Sequence, residues 1–504
     1  MRITLRHERR RRFGALWAGL LVGCLAAASP AWAGGGNSGG GPALPVVFVH
    51  GFSGSAQQYE DQAMRWASND YANIVTGIDR LFIGFNFDQL DAFFDAVLAE
   101  TGDAQVYAIG HSAGTAVMTG YLNSSPERAA RVAKYIGIDG ASNETCPGGV
   151  DENGDPNVPC MGVWGRGATT RMVGPDHNVY FSEQGHTQSV TSPESFAAQY
   201  EFLTGEAPET TLILPERPWD VEIAGRALNF PFNTGIDGAV LELWEVNAFT
   251  GERVHSSPEE IETLDATGDF GPWDVHGNKR YEINVIRETE EPPNSQQHFY
   301  FEPFVRDDHL VRLNISPIGS SLSNTVRENA GPNTGASISR QKEWWGNNDV
   351  DATNIDVLQV RTAIPQTHAT FGTRLLCLLF GDYLPSVCEV ETIADIATPG
   401  TAPYAASTIA MITFDVEGDS VSHPDELVSL GPFLSGIDVF MPAPDADPKG
   451  VVSFQLDGRR EVRHQVINTP NWPMADGHYM SVIFRPWTQR IDTWQKCRLR
   501  RLCR

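Results

Sequence analysis

The stretch 105-QVYAIGHSAGT-115 holds a strand signal from Gln105 to Ile109, a Gly-flanked serine, and the start of a helical pattern running from Ala113 to about Leu122. A strand that turns through Gly110-His111-Ser112-Ala113-Gly114 into a helix is the context a G-x-S-x-G nucleophile elbow requires. Such a turn holds Ser112 in a strained conformation that presents its hydroxyl at the C-terminal edge of a sheet. Glycine on both sides lets neighbouring elements approach without a Cβ in the way. Away from a strand and a helix, the same five residues would be an ordinary Gly-rich turn.

Upstream, Pro45-Val46-Val47-Phe48-Val49-His50 is a continuous apolar, β-branched run of the kind buried on both faces of a parallel sheet, and it ends in Gly51. Residues 55–68 and 88–100 (DQLDAFFDAVLAE) carry helical patterns, the second clearly amphipathic. Downstream, strand patterns at Tyr135–Ile138, Met161–Trp164 and Asn178–Ser182 precede a last helix, which Ser192-Pro193-Glu194 caps and which runs to about Thr204. This alternation predicts an α/β domain, a parallel sheet with flanking helices, over residues 45–207. After Gly205 the helical period vanishes. Pro and Gly become frequent, and short alternating segments such as 239–245 and 280–287 read as β-sandwich-like all-β domains. We expect a first sandwich at 208–305, a second β-rich unit at 306–490, and a basic Cys-bounded tail at 491–504.

A serine hydroxyl is a poor nucleophile until a general base takes its proton, so a histidine is required on the same sheet edge. His177 precedes the strand at 178–182 and falls on the wrong edge, whereas His186 follows it, in the loop Gly185-His186-Thr187. Asp176 fails by the same argument. Asp139 ends the strand at 135–138 on the correct edge, and Ser112, Asp139, His186 is the chain order this architecture uses. Asp151 and Asp155 remain alternatives for the acid. The oxyanion hole should use the backbone N–H of Ala113 together with that of Phe52, in the loop His50-Gly51-Phe52 after the first strand. His50 and His111 flank other motifs and read as packing or supporting residues.

The N-terminus has an Arg-rich start, an apolar stretch from about Phe13 to Leu25, and small residues at Ala31 and Ala33. It is expected to be a secretory signal peptide over 1–33, with a flexible Gly-rich linker at 34–44. Leu21-Val22-Gly23-Cys24 also permits a lipoprotein anchored through Cys24, and Arg10-Arg11-Arg12-Phe13 permits twin-arginine export. The apolar run is too short for a membrane span. The six later cysteines fall into sequence-local pairs, and an oxidising compartment predicts disulfides Cys146-Cys160, Cys377-Cys388 and Cys497-Cys503. Within the first loop, Asp151, Asn153 and Asp155 alternate as calcium ligands do, although an acidic turn explains them equally well.

The net charge is −26, and the first twelve residues hold six Arg and one Glu. The remainder therefore carries 31 Lys+Arg against 62 Asp+Glu, a net of −31. That balance argues against non-specific nucleic-acid binding and against docking on anionic lipid through a basic face. Contact with lipid would have to use apolar surface, with Phe52, Phe82, Phe85 and Phe87 as candidates near the mouth.

VVFVHGF, AIGHSAGT, YIGIDG, NVYFSEQGHTQ and TSPESFAAQYEFLTG, in this order, resemble the α/β-hydrolase superfamily, and within it secreted prokaryotic triacylglycerol lipases of an archaeal type. The resemblance implies that Ser112, Asp139 and His186 form a triad, with Phe52 and Ala113 as oxyanion donors. FEPFVRDDHLVRLNIS, residues 301–316, is similar to a segment of the C-terminal β domain that those lipases associate with lipid binding. Residues 221–287 are similar to immunoglobulin-like or transthyretin-like modules. The expectation is a secreted serine ester hydrolase acting on acyl esters, at a lipid–water interface, with no cofactor in its chemistry. The alternatives are a polyhydroxyalkanoate-type polyester depolymerase and a surface-binding β-module protein with an auxiliary hydrolase domain.

Overall fold

Short runs of branched apolar residues build the first sheet. The computed structural model describes residues 43–81, 85–287, 295–315, 333–343, 356–363, 390–397, 411–413, 427–428, 437–442, 450–458 and 464–485. The expected signal segment, most of the Gly-rich stretch, Phe82, the basic tail, and Cys24, Cys377, Cys388, Cys497 and Cys503 lie outside these residues.

Strands β1 (Val46–Val49), β2 (Val75–Ile78), β3 (Val106–His111), β4 (Val132–Ile138), β5 (Cys160–Trp164) and β6 (Asn178–Tyr180) form one sheet in the order β2-β1-β3-β4-β5-β6. Every pairing in it is parallel. Four helices of substantial length flank it in chain order: α1 (Glu60–Ser68), α2 (Phe87–Thr101), α3 (Ala113–Ser124) and, after the short turns α4 (Pro126–Ala129) and α5 (Gln188–Thr191), α6 (Pro193–Thr204). Strand β1 shows why the sheet is covered on both sides. Val47 and Val49 pack with Leu90, Phe93, Phe94, Met118 and Tyr121 of α2 and α3, while Val46 and Phe48 pack with Tyr59, Trp66 and Phe196 on the opposite face. Side chains alternate along a strand, so a strand buried on both faces needs an unbroken apolar run.

Local chemistry sets the helix ends. Asn86 accepts the Gln89 N–H at the start of α2, Ser192 accepts the Ser195 N–H at the start of α6 with Pro193 next, and both helices end at a left-handed glycine, Gly102 and Gly205. The α/β hydrolase expected from the sequence is thus present.

The strand-rich remainder follows, as expected. Strands β7 (Val221–Asn229), β8 (Thr234–Gly235), β9 (Val240–Val246), β10 (Glu260–Thr263), β11 (Asp269–Val275), β12 (Arg280–Ile286), β13 (Gln296–Phe301) and β14 (Asp308–Ile315) pack two sheets around one apolar core. One sheet is ordered β11-β7-β14, with β8 beside β7. The other begins β10-β9-β12-β13 and continues through strand His478–Phe484 into β15 (Asn333–Arg340) and strand Ile437–Pro442. A division at 305/306 therefore separates β14 from β7, its parallel partner. Strand His478–Phe484 runs parallel to both β13 and β15, so the last described strand is inserted between two earlier ones. A four-stranded sheet containing Val357–Ala363 and Val451–Asp457 shares a core with β15. Among the described residues no helix is long and apolar enough to cross a membrane.

Candidate active site

At the end of β3 the chain enters Ser112 with φ 52° and ψ −123° and leaves it as α3. A Cβ on Gly114 would run into the Val49 carbonyl, so only glycine lets α3 start this close to β1. The Ser112 carbonyl is held by Thr115, whose N–H donates at 3.0 Å and whose hydroxyl donates at 2.6 Å. Asp139, at the C-terminal end of β4, also has a left-handed backbone, with φ 42°. Non-glycine residues rarely adopt this region, and where they do the strain is commonly functional. Of five such residues in the described chain, four surround this edge of the sheet: Ser53, Ser112, Asp139 and Asn233.

The loop after β6 brings His186 to Asp139. His186 Nδ1 donates to Asp139 Oδ2 at 2.5 Å, with both side chains largely buried. That bond fixes the tautomer and leaves Nε2 as the lone-pair nitrogen, the state a general base needs. Asp151 is elsewhere, in an exposed turn where its Oδ1 accepts the N–H groups of Asn153 at 2.8 Å and Asp155 at 2.9 Å. These local bonds account for the alternation of Asp151, Asn153 and Asp155, and the loop is closed by the Cys146–Cys160 disulfide. His177 has its ring against Phe202, 5.4 Å between centroids.

Beside Ser112 runs the loop after β1. A Cβ on Gly51 would lie 2.8 Å from Ser112 Cβ and 3.3 Å from its Oγ, so the 51–52 backbone passes directly against the serine. Phe52 itself is half exposed, at 51%. Three polar residues fix this loop. His50 Nδ1 donates to the Gly51 carbonyl at 2.7 Å, its Nε2 accepts the Arg80 N–H at 2.8 Å, and Asn233 of the sandwich donates to the Gly54 carbonyl at 2.8 Å. Burial, with Arg80 alongside, lowers the His50 pKa to about 4, so the ring is neutral.

His111 supports His186 from below. Its Nε2 donates to the His186 carbonyl at 3.0 Å, its Nδ1 accepts from Gln58 Nε2 at 2.7 Å, and the two imidazole rings lie 4.4 Å apart. Burial, together with the neighbouring His186, holds the His111 pKa well below 6.5. The sequence reading of both histidines as supporting residues agrees with these contacts. Sequence gave no local sign of Glu343, which reaches the 187–188 backbone from the second β-rich unit.

A small cleft, partly open to solvent, extends from Phe52 between Gln57, Gln58, His111 and Thr187 of the first domain, Phe230 and Asn314 of the sandwich, and Gln341. Three parts of the chain therefore wall it. Among the described residues, Glu245, His255 and Glu259 bring their ligand atoms within 4.8 Å of one another. The Lys279 ammonium already pairs with Glu245 there.

Family comparisons agree with the fold. The model of the alpha/beta hydrolase family matches residues 46–256, that of the lipase C-terminal domain matches 219–318, and a further C-terminal domain model matches 323–488. The chain thus carries an α/β-hydrolase domain in its N-terminal part, followed by a lipase-type C-terminal domain. No curated protein matches it. Among solved structures it is similar to the product of gene lin2722 from Listeria innocua, at 13% identity and TM-score 0.27, covering 33% of this chain and 96% of that one. It is also similar to a CIB-like hydrolase from Thermoplasma acidophilum, at 16% identity and TM-score 0.23, covering 32% and 86%. An epoxide hydrolase from Bacillus megaterium matches at 12% identity and TM-score 0.23, covering 32% and 93%.

Proposed function

We propose that this lipase/esterase-type hydrolase is an exported serine esterase that cleaves acyl esters of lipids through an acyl-enzyme. The observation that carries the proposal is the 2.5 Å His186–Asp139 hydrogen bond at the sheet edge where Ser112 sits in its strained turn. In this reading His186 Nε2 takes the proton of Ser112 Oγ as the oxygen adds to the ester carbonyl. The Phe52 and Ala113 N–H groups receive the developing oxyanion, worth about 3 kcal/mol per donor. The imidazolium, steadied by Asp139, then protonates the departing alcohol, and water repeats the sequence to release the acid.

Export is supported by the Arg-rich and apolar N-terminus and by the Cys146–Cys160 disulfide, a bond that persists in oxidising compartments. Lipid as the substrate class is supported by exposed apolar side chains near the cleft. Phe52 borders it, and Leu81 and Phe232 adjoin Arg80 and Asn233, which hold the 50–54 loop. At a net charge of −31 these apolar groups, rather than charge attraction, would provide contact with a lipid surface.

The test is release of p-nitrophenol from acyl esters of increasing chain length by the wild type and by Ser112→Ala. Activity should rise into the medium or long chains and fall at least about 10³-fold in the variant. Retained activity in Ser112→Ala, or no hydrolysis of any ester by the wild type, would sink the proposal.

A further inference from the structure

Glu343 belongs to the segment that follows β15, more than 150 residues from the loop carrying His186, yet its carboxylate is fully buried against that loop. Oε1 accepts the N–H of Thr187, the residue next to His186. Oε2 accepts the N–H of Gln188 at 3.1 Å. Space for the carboxylate exists because residue 185 is glycine: a Cβ there would lie 2.5 Å from Glu343 Cδ. The segment is itself fixed. Arg340 donates to the carbonyls of Lys342 at 3.1 Å and Glu343 at 2.6 Å and pairs with the buried Asp356, while Thr191 donates its hydroxyl to the Gln341 carbonyl at 2.8 Å.

We propose that Glu343 is a positioning residue for the hydrolase site, a carboxylate supplied by the second β-rich unit that sets the backbone of the His186 loop. Asp139 orients the imidazole through Nδ1, and His111 and Ser189 hold the His186 carbonyl, at 3.0 and 2.8 Å. None of these fixes the amides that follow. Two adjacent buried N–H groups need acceptors, and an ionised carboxylate with two oxygens accepts both in strong, charge-assisted bonds. The hydrolase domain holds its base in the productive place only when the far part of the chain is docked. This assignment rests on His186 being the general base.

The experiment measures kcat and KM for p-nitrophenyl butyrate in the full-length protein, per active site titrated with an organophosphate for the wild type, Glu343→Ala and Glu343→Gln, and per mole of protein for Ser112→Ala. Misplacing the base should lower kcat of Glu343→Ala by about 10- to 100-fold while KM stays within about twofold. Glu343→Gln keeps one acceptor oxygen but turns an amide NH2 toward the second backbone N–H, so it should also lower kcat, by no more than Glu343→Ala. A kcat within about twofold of wild type in Glu343→Ala, or in Glu343→Gln, overturns the assignment. If Glu343→Ala does not fold, Gly185→Ala replaces it, since its methyl displaces the carboxylate. A fall in kcat at constant KM then supports the assignment, and an unchanged kcat overturns it. Ser112→Ala separates the two ideas: activity surviving there defeats the nucleophile, whereas a dead Ser112→Ala beside a fully active Glu343→Ala defeats only Glu343.

Discussion

His50 and His111 lie within hydrogen-bond reach of the oxyanion loop and the His186 loop respectively, and both are neutral because burial disfavours the imidazolium. That neutrality couples the site to pH. In the unfolded chain His50 accepts a proton near pH 6.5, whereas in the native protein it does so only near pH 4. Its contribution is therefore complete above pH 6.5 and is lost as the pH falls toward 4, by about 3 kcal/mol across the window. The thermal unfolding midpoint should decline over this range more steeply in the wild type than in His50→Gln, and equal slopes would count against the idea. The residues proposed to perform the chemistry were legible in the sequence because each follows a strand: Ser112 after β3, Asp139 after β4 and His186 in the loop after β6. Sheet direction alone then distinguishes His186 from His177. Gln58, Asn233 and Glu343 were not legible, since each meets the site across a tertiary contact that leaves no periodic or spacing signal in its own segment.

Strand β2 shows the same limit one level up. Its four residues, Val75-Thr76-Gly77-Ile78, are too short and too mixed to stand out, whereas the apolar run of β1 and the amphipathic α2 declare themselves. Yet the residue just after β2 joins the hydrolase to the sandwich. Asp79 is buried; its Oδ1 accepts the Ala56 N–H at 2.8 Å, and its Oδ2 accepts from Arg312 of β14 at 3.0 Å and Arg226 of β7 at 2.9 Å. Burial alone would raise the carboxyl pKa, but the two guanidinium groups outweigh it and hold the group well below the usual carboxylate range. Replacing Asp79 by Asn leaves two largely buried cations facing a neutral amide. Such a break costs about 3–5 kcal/mol, to be read as a lower urea midpoint. A midpoint within error of wild type would show that Arg226 and Arg312 find other partners. The sign with pH opposes any rescue by acid: the pair stabilises above the unfolded carboxylate's value near 3.8 and is lost as the pH falls below it.

Across the whole molecule, buried polar and ionic contacts run along the seam between hydrolase and β structure, beside apolar ones such as Met64 with Val305. Arg485 pairs with Glu60 of α1 at 2.5 Å and with Asp308 of β14 at 2.9 Å, Arg306 donates to Ser68 at 2.6 Å, and Asn314 donates to Gln57 at 2.9 Å. Partnered buried charges are costly to separate but give a docked arrangement its specificity. A chain ending at residue 207 loses every one of these partners together with Glu343. It should hydrolyse even a small soluble ester at least about tenfold more slowly per titrated site than the full-length protein. Equal rates would mean that the β region serves only contact with lipid.

The parallel seating of His478–Phe484 between β13 and β15 has a consequence for how the chain acquires its shape. A strand near residue 480 must find partners near residues 298 and 337, so the central sheet cannot close while synthesis or translocation is incomplete. Contacts of such sequence separation slow folding and leave sheet edges open in the meantime. Because Glu343 lies just beyond β15, the site is completed late, and a polypeptide still in transit carries Ser112, Asp139 and His186 without the support that aligns them.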